Sequence, residues 1–321
     1  MIMSNIIRVA LAGEGAIGTA HLEALRHIAG IEVVLLIGGV EETTRRVAEK
    51  FGIKKWTTDF NQALSSYEFE AIILATPTPM HAAQAIQCMK AGRHVLVEIP
   101  MADSLAESRA LVEMQRATGL VVAAGHLRRF NFGHAWMHKR IRQGKLTLRQ
   151  MVTQTYFLRR TNINLQGEPR SWTDSLLWHH ACHSVDLFLF QTGEAVTHAR
   201  ALAGPLSPSL GIPLDMSIQL KTRSDVLAST SLSFNNAGTP GSVFRYICDE
   251  DTFIVKNDEI VDSKGEAVKM ENDAAAKSGL QAADQNFFDA IRGVAKPIAR
   301  IEDCLPAMEV LDRLERDISQ D

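Results

Sequence analysis

The segment Trp178-His179-His180-Ala181-Cys182-His183-Ser184-Val185-Asp186 concentrates more titratable side chains than any other short stretch of the chain. If it is helical, each residue advances about 100°, so His179, His183 and Asp186 fall within about 60° of one another while His180 points elsewhere. An imidazole of ordinary pKa, about 6.5, accepts a proton near neutrality, so either His179 or His183 can serve as a general base, with Asp186 orienting His183. His180 either reaches a substrate from a neighbouring face or satisfies backbone at the helix start. Two histidines four residues apart plus a carboxylate can also hold a metal. A metal-dependent hydrolase is therefore an alternative, but it lacks the glutamate of H-E-x-x-H and leaves the second signal unexplained, so no metal is expected.

That second signal lies near the start. Residues 6–12 are an apolar run suited to a buried parallel strand, and Gly13-Glu14-Gly15-Ala16-Ile17-Gly18 follows as G-x-G-x-x-G, with helical spacing over 19–28. The glycines Gly13, Gly15 and Gly18 allow a tight turn, approach of a pyrophosphate to backbone, and close helix–strand packing; the helix start, with Ala16 and Ile17, supplies N–H donors. Strand before and helix after turn a weak hexapeptide into a dinucleotide fingerprint. The next strand, 31–37, ends at Gly38 and Gly39, where an acid would hold the ribose 2′-hydroxyl of NAD. Without that acid, and with Arg45 and Arg46 close behind, NADP is the expected cofactor and NAD remains open. The arginines equally suit a solvated helix face.

Strands at 71–75, 94–98 and 121–125 alternate with helices at 79–91 and 104–118, and Asp59 is a candidate N-cap. This pattern predicts a doubly wound parallel sheet that binds ligands beyond the carboxyl ends of its strands. Thr76-Pro77-Thr78-Pro79 and Glu98-Ile99-Pro100 occupy such ends, either lining the crevice or stopping strands. Further on, a helix at 135–143 precedes a strand over 146–160. Strands at 195–202, 216–222, 226–234, 243–248 and 252–255 follow, then a polar loop at 266–278 and closing helices at 280–292 and 301–318. The predicted fold class is α/β: an N-terminal Rossmann parallel sheet in residues 1–126, and a C-terminal α/β domain with a large, mainly antiparallel open sheet in 127–321.

Bulk properties agree with an enzyme. At 321 residues the chain is long enough for two cores, and 46% hydrophobic with 22% charged residues excludes disorder. A net charge of -3 from 34 basic and 37 acidic residues gives no general attraction for nucleic acid or an anionic membrane, so neither is an expected partner. Cys88, Cys182, Cys248 and Cys304 are scattered, form no C-x-x-C pair and suit a reducing compartment. With no basic run followed by a long apolar one near Met1, a cytoplasmic protein is expected.

Four phrases identify a family. Gly13-Glu14-Gly15-Ala16-Ile17-Gly18, Ala75-Thr76-Pro77-Thr78-Pro79-Met80-His81, Ala91-Gly92-Arg93-His94-Val95-Leu96-Val97-Glu98-Ile99-Pro100 and Arg129-Phe130-Asn131 together resemble the glucose-fructose oxidoreductase / inositol dehydrogenase / MocA family. The resemblance implies cofactor contacts at Thr76, Pro77, His81 and Glu98, and a C-terminal sheet through which two copies form a homodimer. It also exposes departures. Ile99 stands where most members carry a catalytic lysine, His179 replaces an aspartate and Ala181 a glycine, while His183 and Asp186 match. A hydrocarbon moves no proton, so the lysine's task falls to His179 or His183.

The phrases Val97-Glu98-Ile99-Pro100, Gly125-His126 with Arg128-Arg129-Phe130-Asn131, Gln154-Thr155-Tyr156-Phe157 with Arg159-Arg160, 167–174, Leu177-Trp178-His179-His180 and Ser233-Phe234-Asn235-Asn236 are similar to one subgroup of that family. Its members oxidise the cyclic hemiacetal of a carboxylated muconate semialdehyde to a pyrone dicarboxylate, usually with NADP. The implied substrate is a small dicarboxylate hemiacetal, for which guanidinium groups make bidentate partners. His126, Arg128, Arg129, Arg159, Arg160, Arg170 and His180 are candidates to bind it. Strand alternation allows only one of Arg159 and Arg160 to enter a given pocket. Tyr156 and Trp178 either flank a flat ring or pack a core. A sugar or inositol dehydrogenase is the alternative within the family.

Overall fold

The computed structural model describes residues 6–163, 167, 170, 172–256, 259–268 and 278–319. The chain folds as two units, Met1–Leu127 with Lys277–Leu305, and Arg128–Ala276 with Pro306–Asp321. A single cut after residue 126 is what the sequence suggests; in the fold, residues 277–305 return to the first unit. Residues 269–277 of the expected loop, and Glu168, Pro169 and Ser171, lie outside the described residues.

Among the described residues, the first unit contains β1 (Ile7–Ala12), β2 (Ile31–Ile37), β3 (Trp56–Thr57), β4 (Ala71–Leu74), β5 (His94–Val97) and β6 (Val122–Ala124). They form a parallel sheet in the order β3-β2-β1-β4-β5-β6. Their runs are apolar throughout because helices cover both faces; β4 is buried at every position. Strand order reverses between β1 and β4, which places the ligand crevice at the carboxyl ends of those strands. The helices are α1 (Ala16–Leu25), α2 (Glu41–Phe51), α3 (Phe60–Ser66), α4 (His81–Lys90) and α5 (Leu105–Thr118). The expected cap at Asp59 forms, accepting from the Gln62 N–H at 2.9 Å, and Ser104, read in the sequence as the first helical residue, caps α5 by accepting from the Glu107 N–H at 3.2 Å.

The helix that returns to this unit, which becomes α8 in chain order once α6 (Phe132–Arg142) and α7 (Cys182–Thr192) are counted, spans Gly279–Ile291. It buries Phe287 and Phe288 with Leu22, Leu25, Leu36 and Ile73 in one core. Each such ring contributes roughly 1.5–3 kcal/mol by leaving water. A polar clamp accompanies this packing. His21 of α1 donates from Nδ1 to Asp284 of α8 at 2.9 Å, and its Nε2 lies 3.0 Å from Glu98 Oε1, just past β5. Burial alone would depress the imidazole, but the charges and hydrogen bonds of Asp284 and Glu98 raise its pKa from 6.5 to about 10.

In the second unit the described strands are β7 (Leu148–Tyr156), β8 (Val196–Ala203), β9 (Asp215–Thr222), β10 (Leu227–Ser233), β11 (Gly241–Cys248), β12 (Thr252–Lys256) and β13 (Glu259–Val261), in the order β13-β12-β11-β7-β10-β9-β8. Only the β7–β10 pair among them is parallel. Alternating burial along β9 and β10 shows one covered face and one open face. Thr153 of β7 meets Ser184 of α7, oxygen to oxygen at 3.3 Å, which seats α7 on the covered face. The closing helix α9 (Ile301–Ile318) docks its last turns on β8, where Asp317 accepts from the Ala201 N–H at 2.9 Å. The short β13 escapes the sequence pattern, and β7 ends four residues before the expected 160. Among the described residues no helix is long and apolar enough to cross a membrane.

Removing the clamp's imidazole leaves two carboxylates buried without a cation, so His21→Ala is expected to lower unfolding free energy by about 3–5 kcal/mol in urea titrations. Because the folded-state pKa lies above 6.5, the clamp's contribution is complete below that pH and declines as pH rises through about 10. The wild type is therefore expected to lose stability across that alkaline window, and the variant to lose less of it.

Candidate active site

The glycine loop has the shape a dinucleotide needs. Gly13 has φ +109°, and a Cβ there would lie 2.2 Å from the Ala75 carbonyl oxygen; a Cβ on Gly18 would lie 1.8 Å from that of Gly13. Both positions exclude side chains because backbone crosses backbone. At Gly15 no atom lies within 4 Å of the Cβ position. This open cradle, at the N-cap of α1, is where a pyrophosphate can meet N–H donors, with Ala16 and Ile17 opening the helix. The residues therefore fit a nicotinamide dinucleotide, which would be held by Gly13, Gly15 and Gly18.

The basis for expecting NADP changes in the folded chain. Gly38 presents no acid, and its Cβ position lies 1.9 Å from Thr44 Oγ1. An acid nevertheless reaches this strand end from the glycine loop: Glu14 Oε1 accepts from the Gly39 N–H at 2.9 Å and the Val40 N–H at 3.0 Å. Arg45 pairs with Glu42 and Glu49 on the exposed face of α2, its bland alternative. Sequence reasoning passes over Glu14 because it sits at a variable position of the fingerprint.

Three expected cofactor residues act on the protein itself. His81 bridges the Thr76 and Pro100 carbonyl oxygens, each at 2.8 Å, and so ties two strand-end loops together. Thr76 Oγ1 donates to Gln84 at 2.7 Å, with Pro77 next to it starting the turn into α4. Glu98 accepts from His21 and packs against Gly125, where a Cβ would lie 2.6 Å from its Oε1. His126, just past β6, is buried.

In the second unit the histidine segment is not a plain α-helix. Leu176–Ala181 winds as a π-helix and passes into α7 at Cys182, so the 100° rule fails across His179 and His180. Ser175 caps the turn by accepting from the Trp178 N–H at 2.9 Å, while its own N–H donates to His179 Nδ1 at 3.0 Å. With the Nδ1 lone pair engaged, a neutral His179 carries its proton on Nε2 and presents a donor. Its ring stacks on Trp172, centroids 5.2 Å apart. His179, His180 and His183 are all half-buried.

Asp186 forms a buried ion pair with a guanidinium. Both its oxygens accept from Arg129, at 2.9 Å from Nε and 2.6 Å from Nη2, in a buried fork beside Phe190. That guanidinium competes with any metal for the carboxylate, which weakens the His179/His183/Asp186 metal reading.

The arginines divide between a half-buried cluster and the surface. Arg159 pairs with Asp174 at 2.5 Å and lies over the Phe234 ring, whereas Arg160 reaches exposed Asn235 at 2.8 Å. Arg170 meets the other Asp174 oxygen at 3.2 Å, and His180 Nε2 is 3.9 Å from that carboxylate while its ring abuts Phe234 edge-on. Burial pushes the Asp174 carboxyl up, but His180 and Arg159 outweigh it and hold it well below the usual carboxylate range. Sequence reasoning does not single out Asp174, although its spacing of four from Arg170 is a usable signal. Arg128 donates to Ser242 at 3.1 Å above the Phe244 ring.

Tyr156 and Trp178 each meet protein groups. Tyr156 follows Thr155 on β7 and therefore points to the face opposite the histidine helix, where its hydroxyl donates to Ser231 at 3.0 Å. Trp178 is buried, and its Nε1–H donates to Glu315 of α9 at 2.8 Å. Both serve packing.

Residues 7–126 match the family model described as an oxidoreductase family with an NAD-binding Rossmann fold, and 132–274 match that of the C-terminal region of bacterial oxidoreductases. The chain belongs to this glucose-fructose oxidoreductase / inositol dehydrogenase / MocA family of oxidoreductases. It is 48% identical to the 4-carboxy-2-hydroxymuconate-6-semialdehyde dehydrogenase of Sphingobium sp. strain SYK-6 over 96% of this chain and 98% of that one. Against the scyllo-inositol 2-dehydrogenase (NAD(+)) of Bacillus subtilis it is 31% identical over 45% of this chain and 42% of the relative. A putative myo-inositol dehydrogenase from Sinorhizobium meliloti shares the fold, with a TM-score of 0.82 and 18% identity over 98% of both chains. So does GenD2 of gentamicin A biosynthesis, solved with NAD, at 0.82 and 19% over 99% of this chain and 96% of that one.

The two glycines separate folding from binding. Gly18→Ala is expected to drop the thermal midpoint sharply, since its methyl meets backbone 1.8 Å away, whereas Gly15→Ala should melt like wild type yet bind NADH weakly. Parallel melting curves and NADH fluorescence titrations check both.

Proposed function

We propose that this protein oxidises the cyclic hemiacetal of 4-carboxy-2-hydroxymuconate-6-semialdehyde to the lactone 2-pyrone-4,6-dicarboxylate. The observation that carries this reading is 48% identity over 96% of the chain to a dehydrogenase of that name. Nicotinamide, when bound, supplies the acceptor for the hydride that leaves the hemiacetal carbon. The chain must then take the hydroxyl proton as the carbonyl forms. Ile99 removes the lysine that does so in most of the family, and the histidine segment replaces it. His183 is assigned as the base, because His179 in its neutral form presents Nε2–H and is suited to donate to a substrate oxygen. Asp186, locked to Arg129, anchors the helix that carries His183.

Binding of a dicarboxylate is supported by charge. Arg159 and Arg170 share the single carboxylate of Asp174, leaving net positive charge beside His180. Arg159 Nη1 is buried with no hydrogen-bond partner among the described residues, a donor for an incoming carboxylate. A neutral sugar or inositol gains nothing from that charge, which favours the acid. The open face of the seven-stranded sheet, with Tyr156, Ser217, Ser229, Ser231 and Ser233, is proposed as the surface that pairs two copies. Four buried, unbridged cysteines suit the cytoplasm.

The test is to supply the protocatechuate 4,5-cleavage product with NAD and, separately, NADP, and to follow reduced nicotinamide together with pyrone. Turnover on this substrate but not on inositols or sugars is expected; the reverse pattern refutes the reading. His183→Asn should lower kcat by about 10²–10⁴ and remove the acidic limb of the kcat/KM profile. His179→Asn should lower kcat while keeping that limb. Wild-type turnover in His183→Asn would show the base assignment to be wrong.

A further inference from the structure

The end of β2 is where a Rossmann chain reads the adenosine ribose, and a carboxylate from that strand end ordinarily accepts from its hydroxyls. Here position 38 is closed to any side chain, since a Cβ would lie 1.9 Å from Thr44 Oγ1. The glycine loop brings an acid to this strand end instead: Glu14, whose position is set by several partners. Its Oε1 accepts from the Gly39 and Val40 N–H groups at 2.9 and 3.0 Å, and its Oε2 lies 3.1 Å from the same Gly39 nitrogen. Thr44 Oγ1, which donates to the Val40 carbonyl at 2.7 Å, stands 3.5 Å from Oε1 and closes the ring of partners. These donors open α2, so the carboxylate also faces the positive end of a helix dipole.

Among the described residues, neither nearby arginine pairs with Glu14. Arg45 is committed to Glu42 at 2.8 Å and Glu49 at 2.7 Å, and Arg46 is exposed on α2. A 2′-phosphate would bring about two negative charges beside a fixed carboxylate, after displacing it from its own donors.

We propose that Glu14 is a specificity-determining residue: its carboxylate replaces the acid missing from the end of β2, accepts from the adenosine ribose hydroxyls, and makes the protein select NAD over NADP. This rests on the reading of the first unit as a nicotinamide-dinucleotide site. It reverses the preference that Gly38 and Gly39 alone imply, because the acid arrives from the fingerprint and not from the strand.

The experiment is a fluorescence titration of the full-length protein with NADH and with NADPH, alongside steady-state kinetics with both oxidised cofactors, for wild type, Glu14→Gln and Glu14→Ala. Melting curves confirm that each variant is folded. Wild type should bind NADH at least about tenfold more tightly than NADPH, and Glu14→Gln, which keeps an acceptor for the two amides but no charge, should reduce that ratio by about tenfold or more. Glu14→Ala should reduce it too, while weakening NADH by loss of the ribose acceptor. Equal or tighter NADPH binding by wild type, or an unchanged ratio in folded Glu14→Gln, overturns the inference and leaves dinucleotide binding intact. Failure of both nucleotides to bind wild type overturns the cofactor reading and the inference with it.

Discussion

A protonated imidazole between two carboxylates joins the elements that shape the nucleotide cradle. His21 projects from α1, one turn beyond the glycine loop, Glu98 ends β5, and Asp284 belongs to α8, which returns from far along the chain. Burying three titratable groups is costly unless each is matched, and here one cation satisfies two anions while Phe287 and Phe288 exclude water nearby. The clamp ties α1 to α8 and to the end of β5.

The second unit solves the same problem with different groups. Its sheet carries the histidine helix on polar contacts, Arg129–Asp186 together with Thr153–Ser184, inside a buried layer. What remains half-exposed is the histidine face. The π-turn at its start lets Ser175 cap the segment and hold the His179 ring by one nitrogen. Asp174 divides the arginines, gathering Arg159 and Arg170 while Arg160 stays on the surface.

Much of this is legible in the sequence because it depends on near neighbours. Glycines at 13, 15 and 18, buried apolar strands bounded by turns, and caps at Asp59 and Ser104 follow local rules, and the folded chain obeys them. The corrections are of another kind. Residue type suggests a ring-binding role for Tyr156 and Trp178, but strand alternation turns one to the open face and a hydrogen bond to Glu315 draws the other inward. His81 and Glu98 lie at strand ends, and which protein groups they meet there, Pro100, Thr76 and His21, is not legible from residue type.

By itself, then, the sequence determined the class of the chain: hydrophobic period, turn residues and the glycine spacing specify a Rossmann unit followed by a mainly antiparallel sheet. Only tertiary structure decided which polar atoms meet. Glu14 lies 25 residues from Gly39, Arg129 lies 57 from Asp186, and His21 lies 263 from Asp284, so no local pattern links them. Those pairings are selected because a buried charge must find its partner wherever the fold brings one, and that is a property of packing in space and not of spacing along the chain.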